Sequence, residues 1–587
     1  MMWQDSGVLS RIIDVSAGRE KPDLLLTGGR VLNVYTGRLE EADVAIAAGR
    51  IAYVGSLKEA KIEPGDGTRI IDVTGRVLVP GYIEPHAHPF QLYHPVTLTE
   101  KVLPLGTTAM ICDNLFLFSR METGEFLSLA EELSRLPVRL FWWARFDSQA
   151  TLPDEDKLFS DERMRDLLSH PRVLQGGELT AWPSLLAGEE RMVRWIEELR
   201  RQGKRVEGHA PGASHKTLAR LAAAGVTGDH EPISPEEVWD RLRLGYMTTL
   251  RHSSLRPDLP TLLEGLLKED GVPWHRLMMT TDGPTPAYLR HGFVDYLIKT
   301  ALKAGCDPVE AYRMVTINPA VYYRLDEHLG GIAPGRVADI NVLSGLDQPT
   351  PVQVIAGGRV VAEEGRLLIP LPRVDFFRYQ GLVTSFSWRA EEDHFALPLE
   401  AGEPYPVIQL LNPVITRVAE EELPVAGGRV QLSPEDDRLL AHLVDRGGAW
   451  ITRGVLRGFG RGIDGLASTY NGSGDLLVLG QKPDAMARAA NRALEQGGGI
   501  VWIQGGEERF NLPLPIAGAM SERPVDELIS LTERLTRELK AFGHPFHDPI
   551  YTFLFLSSTH LPQVRLTARG LLRIKDGRVL VPSEPLK

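Results

Sequence analysis

The segment PGYIEPHAHPF, residues 80–90, sets two imidazoles two residues apart at the end of an apolar run. On an extended strand residues i and i+2 face the same way, so His86 and His88 point at one spot. Imidazole suits first-row transition metals such as Zn, Fe and Mn. Four more ligand-type side chains close later apolar runs: Glu178 after VLQGG, His209 after KRVEG, His230 after VTGD and Asp282 after LMMTT. Singly, each has an ordinary reading: a solvated glutamate, a hydrogen-bonded core histidine, an aspartate in a turn. Together, in this order, they point to a binuclear divalent-metal centre. His86, His88 and Asp282 suit one metal, His209 and His230 the other, and the two oxygens of Glu178 suit the bridge. Two cations acidify a shared water toward neutral pH. Asp282 is the group expected to take its proton and deliver it to a leaving nitrogen, and nearby cations keep its carboxylate ionised until then. The expected catalytic residues are Asp282, Glu178 and His230.

These side chains need a scaffold that brings successive strand ends to one place. From about residue 81 to 335, short apolar strands such as RVLQGGE and KRVEGH alternate with helical stretches such as ERMVRWIEELRRQGK and SHKTLARLAAAG. That alternation predicts a (β/α)8 barrel, which carries its chemistry at the C-terminal ends of the strands. No G-x-G-x-x-G follows an early strand, which argues against a dinucleotide-binding open sheet. Residues 1–80 and 336–370 share a strand-and-glycine-turn texture, as in LLLTGGRVLNV and VQVIAGGRVVAEEGRLL, and are expected to build one β-sandwich domain together. Residues 371–402 read as a linker, and 403–587 as a C-terminal α/β domain. Within it, Tyr551–Leu556 reads as a buried strand or short core segment.

The 587 residues are too many for one core. A composition of 43% hydrophobic and 24% charged residues is that of a soluble globular chain. The net charge of −12 argues against a nucleic-acid partner. With two cysteines, Cys112 and Cys306, neither a disulfide framework nor a Cys-rich zinc site is available. No basic-then-apolar leader and no membrane-length apolar run is visible, so the expectation is a cytoplasmic protein with no membrane partner.

The motifs PGYIEPHAH, VLPLGTTAMICD, GGELTAWPSLLAG, VEGHAPG, GDHE, TTDG and GGGIVWIQ, in this order, resemble the bacterial adenine deaminase family of the amidohydrolase superfamily. The resemblance spans nearly the whole chain. It implies a composite β-domain, a distorted barrel and a family-specific C-terminal domain. It also implies a bridging glutamate at Glu178, Mn or Fe as the metals with Zn as a further candidate, a small purine substrate and a homo-oligomer. The chain departs from the family where Asp-Pro-His-Glu-Ile-Ala-Asn is usual and Asp113-Asn114-Leu115-Phe116-Leu117 stands instead. Asp282 is followed by Gly283-Pro284-Thr285 rather than Asp-Arg-His, Arg-Glu-Gly-Ser becomes Arg251-His252-Ser253-Ser254, and His-Asp-Ser-His gives way to residues 468–473, STYNGS. In PGYIEPHAHPFQ, DNLFL, RHSS and DPIYT the chain resembles a divergent branch of the family, part of which is associated with N6-methyladenine. The loss of acidic and histidine residues leaves room for an N6 substituent.

Candidate substrate contacts are Phe90 and Gln91 just past the histidine pair, Asp113 and Asn114 at the end of TTAMIC, Trp182 as a stacking surface, and Arg251 and Ser253 after YMTTL. Each also has a plain core, turn or surface reading. The leading functional expectation is hydrolytic deamination of a 6-aminopurine, adenine or N6-methyladenine. The alternatives are ring opening of a cyclic amide, as in hydantoinases and dihydroorotases, and a non-catalytic binding or assembly protein that kept the fold.

Overall fold

The computed structural model describes residues 6–586 apart from Pro153, Ser385 and Ser387. Its centre is an eight-stranded parallel sheet: β1 (Tyr82–Ala87), β2 (Thr107–Cys112), β3 (Arg139–Ala144), β4 (Val173–Leu179), β5 (Arg205–Gly208), β6 (Gly228–Asp229), β7 (Met247–Arg251) and β8 (Leu277–Thr280). The strands neighbour one another in chain order. β1 and β2 are buried at every position, as strands covered on both faces must be. The helices between them are amphipathic. Glu190–Arg201 buries Met192, Trp195, Ile196 and Leu199, and the Glu189 carboxylate caps its first turn by accepting from the Arg191 and Met192 amides. Each such apolar side chain contributes roughly 1.5–3 kcal/mol when fully buried.

β1 and β8 are the two ends of the hydrogen-bonded order. Side chains bridge the seam between them. Glu84 on β1 accepts from the Thr280 hydroxyl at 2.6 Å, the Thr281 amide at 3.0 Å and the Thr281 hydroxyl at 2.8 Å. The Thr280 hydroxyl also reaches His86 O at 3.0 Å. Glu84 is fully buried, and burial pushes its carboxyl up to about 7 against the pull of these bonds.

The flanks of the barrel segment form the β-sandwich. One sheet uses Leu24–Thr27, Asp43–Ala47, Arg50–Gly55 and Arg69–Asp72. The other joins Arg30–Asn33, Arg38–Glu41 and Val77–Pro80 to Ile340–Leu343, Gln353–Ala356, Arg359–Glu363 and Arg366–Leu367. Val77–Pro80 lies antiparallel to Ile340–Leu343, with Val79 opposite Asn341. Leu24, Leu26, Val44, Ile46, Leu78, Ile340 and Val342 fill the space between the sheets.

Within residues 371–402, expected as a linker, Phe376, Tyr379, Leu382 and Phe395 are instead buried, so the segment is anchored at these points. The C-terminal domain is a mixed sheet running from Thr416–Glu422 to Glu507–Pro513, with the helix Pro483–Glu495 laid on it through alanines 485, 489, 490 and 493. Tyr551–Leu556, expected as a strand or short core segment, lies within and just past the helix Pro549–Phe555. That helix is buried nearly all round, which removes the amphipathic period that marks a surface helix. The domain sits on the C-terminal mouth of the barrel. The Ser521 amide donates to Leu92 O at 2.8 Å, Tyr551 Oη to Gly283 O at 2.7 Å, and the Thr559 amide to Gln149 O at 2.8 Å. Among the described residues, no helix is long and apolar enough to cross a membrane.

Candidate active site

Six side chains from the ends of β1, β4, β5, β6 and β8 converge above the barrel. His88 Nε2 lies 3.0 Å from Asp282 Oδ1 and 4.0 Å from Glu178 Oε2. His86 Nε2 lies 3.6 Å from Asp282 Oδ1. Glu178 Oε1 is 2.5 Å from His209 Nδ1 and 3.4 Å from His230 Nε2. Three overlapping trios result: His86, His230 and Asp282; His86, His88 and Glu178; and Glu178, His209 and His230. Within each trio the ligating atoms lie no more than 4.8 Å apart. Among the described residues, both ring nitrogens of His86, Nδ1 of His209 and Nε2 of His230 are buried with no hydrogen-bond partner. Ring nitrogens so placed are costly unless something binds them. Overlapping trios of imidazole nitrogen and carboxylate oxygen fit a pair of divalent transition metals.

Local backbone geometry serves this convergence. Gly177 has φ +92°, and a Cβ there would stand 2.3 Å from Glu207 O, so only glycine lets β4 pass β5 and present Glu178. Asp282 also lies in the left-handed region, at φ +60°, with its amide donating to Thr280 Oγ1 at 2.8 Å. Aspartate tolerates that region better than most residues.

A surrounding shell of charge orients the ligands. Asp113 sits 2.9 Å from His88 Nδ1, so with Asp113 ionised the Nδ1–H donates and the Nε2 lone pair faces the cluster. Glu207 does the same for His230, at 3.2 Å from Nδ1. Arg145 donates through Nε and Nη2 to the two oxygens of Asp113, at 2.8 and 2.6 Å. Its Nη1 reaches Glu178 O at 3.0 Å and its Nη2 Glu178 Oε2 at 2.9 Å. Arg251 Nη1 donates to Asp282 Oδ2 at 2.9 Å and to Glu231 Oε1 at 2.7 Å. Burial alone would raise the Glu178 carboxyl, but the charges of Arg145 and His209 take it well below the usual carboxylate range. Burial likewise opposes ionisation of Asp282, and Arg251 with His88 holds it low. Burial and the neighbouring His230 keep His86 neutral, with its pKa well below the ordinary value. For His88, the pull of Asp113 and Asp282 overcomes burial and raises it to about 9, so a metal binding there displaces a proton.

A cavity of about 830 Å³ opens over the cluster. Of the substrate contacts read from sequence, Phe90, Gln91, Asp113, Trp182 and Arg251 line it. Asp113 is committed to His88, Arg145 and the Leu115 amide, which makes it a positioning residue rather than a free contact. Gln91 Oε1 accepts from Tyr470 Oη. Asn114 is fully buried, precedes the short helix Leu115–Phe118 and does not line the cavity. Ser253 faces a neighbouring cleft with His252 and Tyr288, and its hydroxyl accepts from the Arg256 amide. Sequence reasoning missed Glu84, Arg145, Glu207, Glu231 and His560. A signal for two of them was present: Glu84 and Glu207 each stand two residues before a named histidine on the same strand face.

Residues 77–361 match the amidohydrolase family and residues 413–578 match the adenine deaminase C-terminal domain. A Halalkalibacterium halodurans protein provisionally named an adenine deaminase is 40% identical over 97% of this chain and 96% of its own. A Bacillus subtilis protein with the same provisional name is 36% identical over 99% and 98%. The adenine deaminase of Moorella thermoacetica is 32% identical over 96% of each chain. With identity at this level running almost end to end across both units, the chain belongs to the adenine deaminase family.

Proposed function

We propose that this protein hydrolyses the exocyclic carbon–nitrogen bond of a 6-aminopurine. The convergence of His86, His88, Glu178, His209, His230 and Asp282, with imidazole nitrogens that have no hydrogen-bond partner among the described residues, carries the reading. When bound, a metal pair on these residues would supply an acidified water as the nucleophile. Asp282 takes the proton and passes it to the leaving nitrogen. The bond from ring carbon 6 to nitrogen breaks, a bond to oxygen forms, and ammonia or an amine departs. Arg251 holds the Asp282 carboxylate in place and ionised beforehand. Phe90 and Trp182 flank the cavity as stacking surfaces.

An N6-methylated purine is the preferred substrate in this reading. Leu115 and Phe116 line the cavity where the family usually carries histidine and glutamate, and the Phe116 ring lies 4.9 Å from that of Phe90. An apolar wall there suits a methyl group and does not hydrogen-bond a free amine. The donor set suits Mn or Fe and admits Zn. Both cysteines are free and buried, as a reducing cytoplasm allows.

The test offers adenine and N6-methyladenine to Mn- or Fe-loaded protein and quantifies hypoxanthine, ammonia and methylamine. Methylamine with little adenine turnover supports the full reading. Comparable use of adenine removes the N6 preference, and silence on both purines with two metals bound removes the purine.

A further inference from the structure

The polar groups around the cavity are mostly committed to one another. Asp113 and Arg145 pair, Thr180 donates its amide and hydroxyl to Asp147, and Glu231 is held by Arg251 and Arg256. A 6-aminopurine brings both N–H donors and ring acceptors, and a buried donor must find an acceptor. The carboxylates nearest the cluster are occupied by guanidinium groups and by the ligand set. His560 is different. It comes from the C-terminal domain, lines the cavity, and sets its ring 5.6 Å from that of His209, edge to face at 83°.

The placement of this ring is built rather than incidental. Thr559 N donates to Gln149 O at 2.8 Å, and Ser558 forms an antiparallel bridge to Ala150. Gln149 itself is left-handed, at φ +61°, with its amide nitrogen 3.3 Å from Glu178 Oε2. One junction therefore fixes a barrel loop against Glu178 and a C-terminal loop against His209. His560 Nδ1 lies 3.5 Å from Gln149 O, which assigns the ring proton to Nδ1. Among the described residues no protein group hydrogen-bonds Nε2. Phe555, Leu554 and Leu561 line the same part of the cavity, where a hydrogen bond is little weakened by water.

We propose that His560 is a substrate-contacting, specificity-determining residue whose Nε2 accepts an N–H of the heterocycle held over the metal cluster. The proposal rests on the deaminase reading above. The test compares metal-loaded wild type, His560→Leu and His560→Gln in kcat and KM on the better of adenine and N6-methyladenine, with metal content and unfolding midpoint measured on each. Leucine keeps the apolar bulk and removes the acceptor, while glutamine returns an amide oxygen close to the Nε2 position. The expected result is a loss in kcat/KM on the order of tenfold for His560→Leu, the size of one buried hydrogen bond. Most of that loss is recovered by His560→Gln, and both variants keep the wild-type metal content. Activity of His560→Leu within twofold of wild type would overturn the proposal. So would equal losses in both variants, or a loss that tracks missing metal, since neither depends on an acceptor. Silence of the wild type on both purines is the distinct result that removes the deaminase reading and the proposal with it.

Discussion

The Thr280 hydroxyl donates to Glu84 Oε1 at 2.6 Å, and so ties the last barrel strand to the first. Glu84 accepts from four donors in all, including the His86 amide at 3.0 Å. Glu84→Ala leaves these buried donors without an acceptor and opens a gap at the seam. We expect a loss of about 3 kcal/mol in stability, read as a lowered denaturant midpoint. Because His86 and Asp282 each lie within two residues of the seam, metal content should fall as well. An unchanged midpoint would show that the seam needs no side-chain bridge.

Arg145 joins Asp113, which orients His88, to the Glu178 carboxylate. Removing it leaves two buried carboxylates uncompensated. Arg145→Met should weaken metal binding about 10- to 100-fold, measured by competition with a chelator of known affinity. Arg145→Lys supplies charge without the two-pronged geometry and should recover only part of it. Metal affinity equal to wild type in Arg145→Met would remove the positioning role.

In the proposed reaction Asp282 transfers the proton. Asp282→Asn keeps the shape and one oxygen but carries no exchangeable acid. With metal content verified, kcat should fall by about 10²–10⁴ while KM changes little. A matched fall in bound metal and activity would instead make Asp282 a ligand and nothing more.

His442 lies at the centre of the C-terminal sheet, fully buried, with Nε2 donating to Phe395 O at 3.0 Å and Nδ1 facing the Gly454 amide at 3.4 Å. Protonating Nδ1 would set two donors against each other. Burial pushes its pKa down to about 3, from an ordinary 6.5. Between these values the unfolded chain binds the proton and the folded one does not, so stability rises with pH across that window and is lost as pH falls below 6.5. At pH 4 the cost from this residue is about 3 kcal/mol. His442→Gln should flatten the pH dependence of the unfolding midpoint between pH 4 and 6.5. A slope identical to wild type would show that His442 does not titrate in this way.

The convergence of these six side chains was legible because each ends a short apolar run, and barrel strands deliver their last residues to one place. His86 and His88 also carried their own strand signature in a spacing of two. Arg145 and Glu231 had no such mark. Their partners, Asp113, Glu178 and Arg251, stand at the ends of neighbouring strands, and only the closed geometry brings them together. Ser253 was read as facing the site because it follows a strand end, yet the chain has already turned there and its hydroxyl serves the Arg256 amide. Tyr551–Leu556 reads from sequence as core, which its burial bears out, but burial on nearly every side erases the period that would tell helix from strand. The division into a flank-built sandwich around a barrel was readable from strand texture alone. The anchoring of residues 371–402 was not, because Phe376, Tyr379 and Leu382 lie on or between two short 3-10 turns, too brief to establish a period.

The pairing of Val79 with Asn341 joins positions about 260 residues apart in sequence. Such a contact forms only after the whole intervening barrel segment has been made, and closing so large a loop slows folding. Once formed, it binds the two ends of the barrel to each other, so neither end can peel away without opening the sandwich sheet. The molecule should therefore assemble late and come apart reluctantly. Its working lifetime would then follow the rate of unfolding more closely than the equilibrium stability.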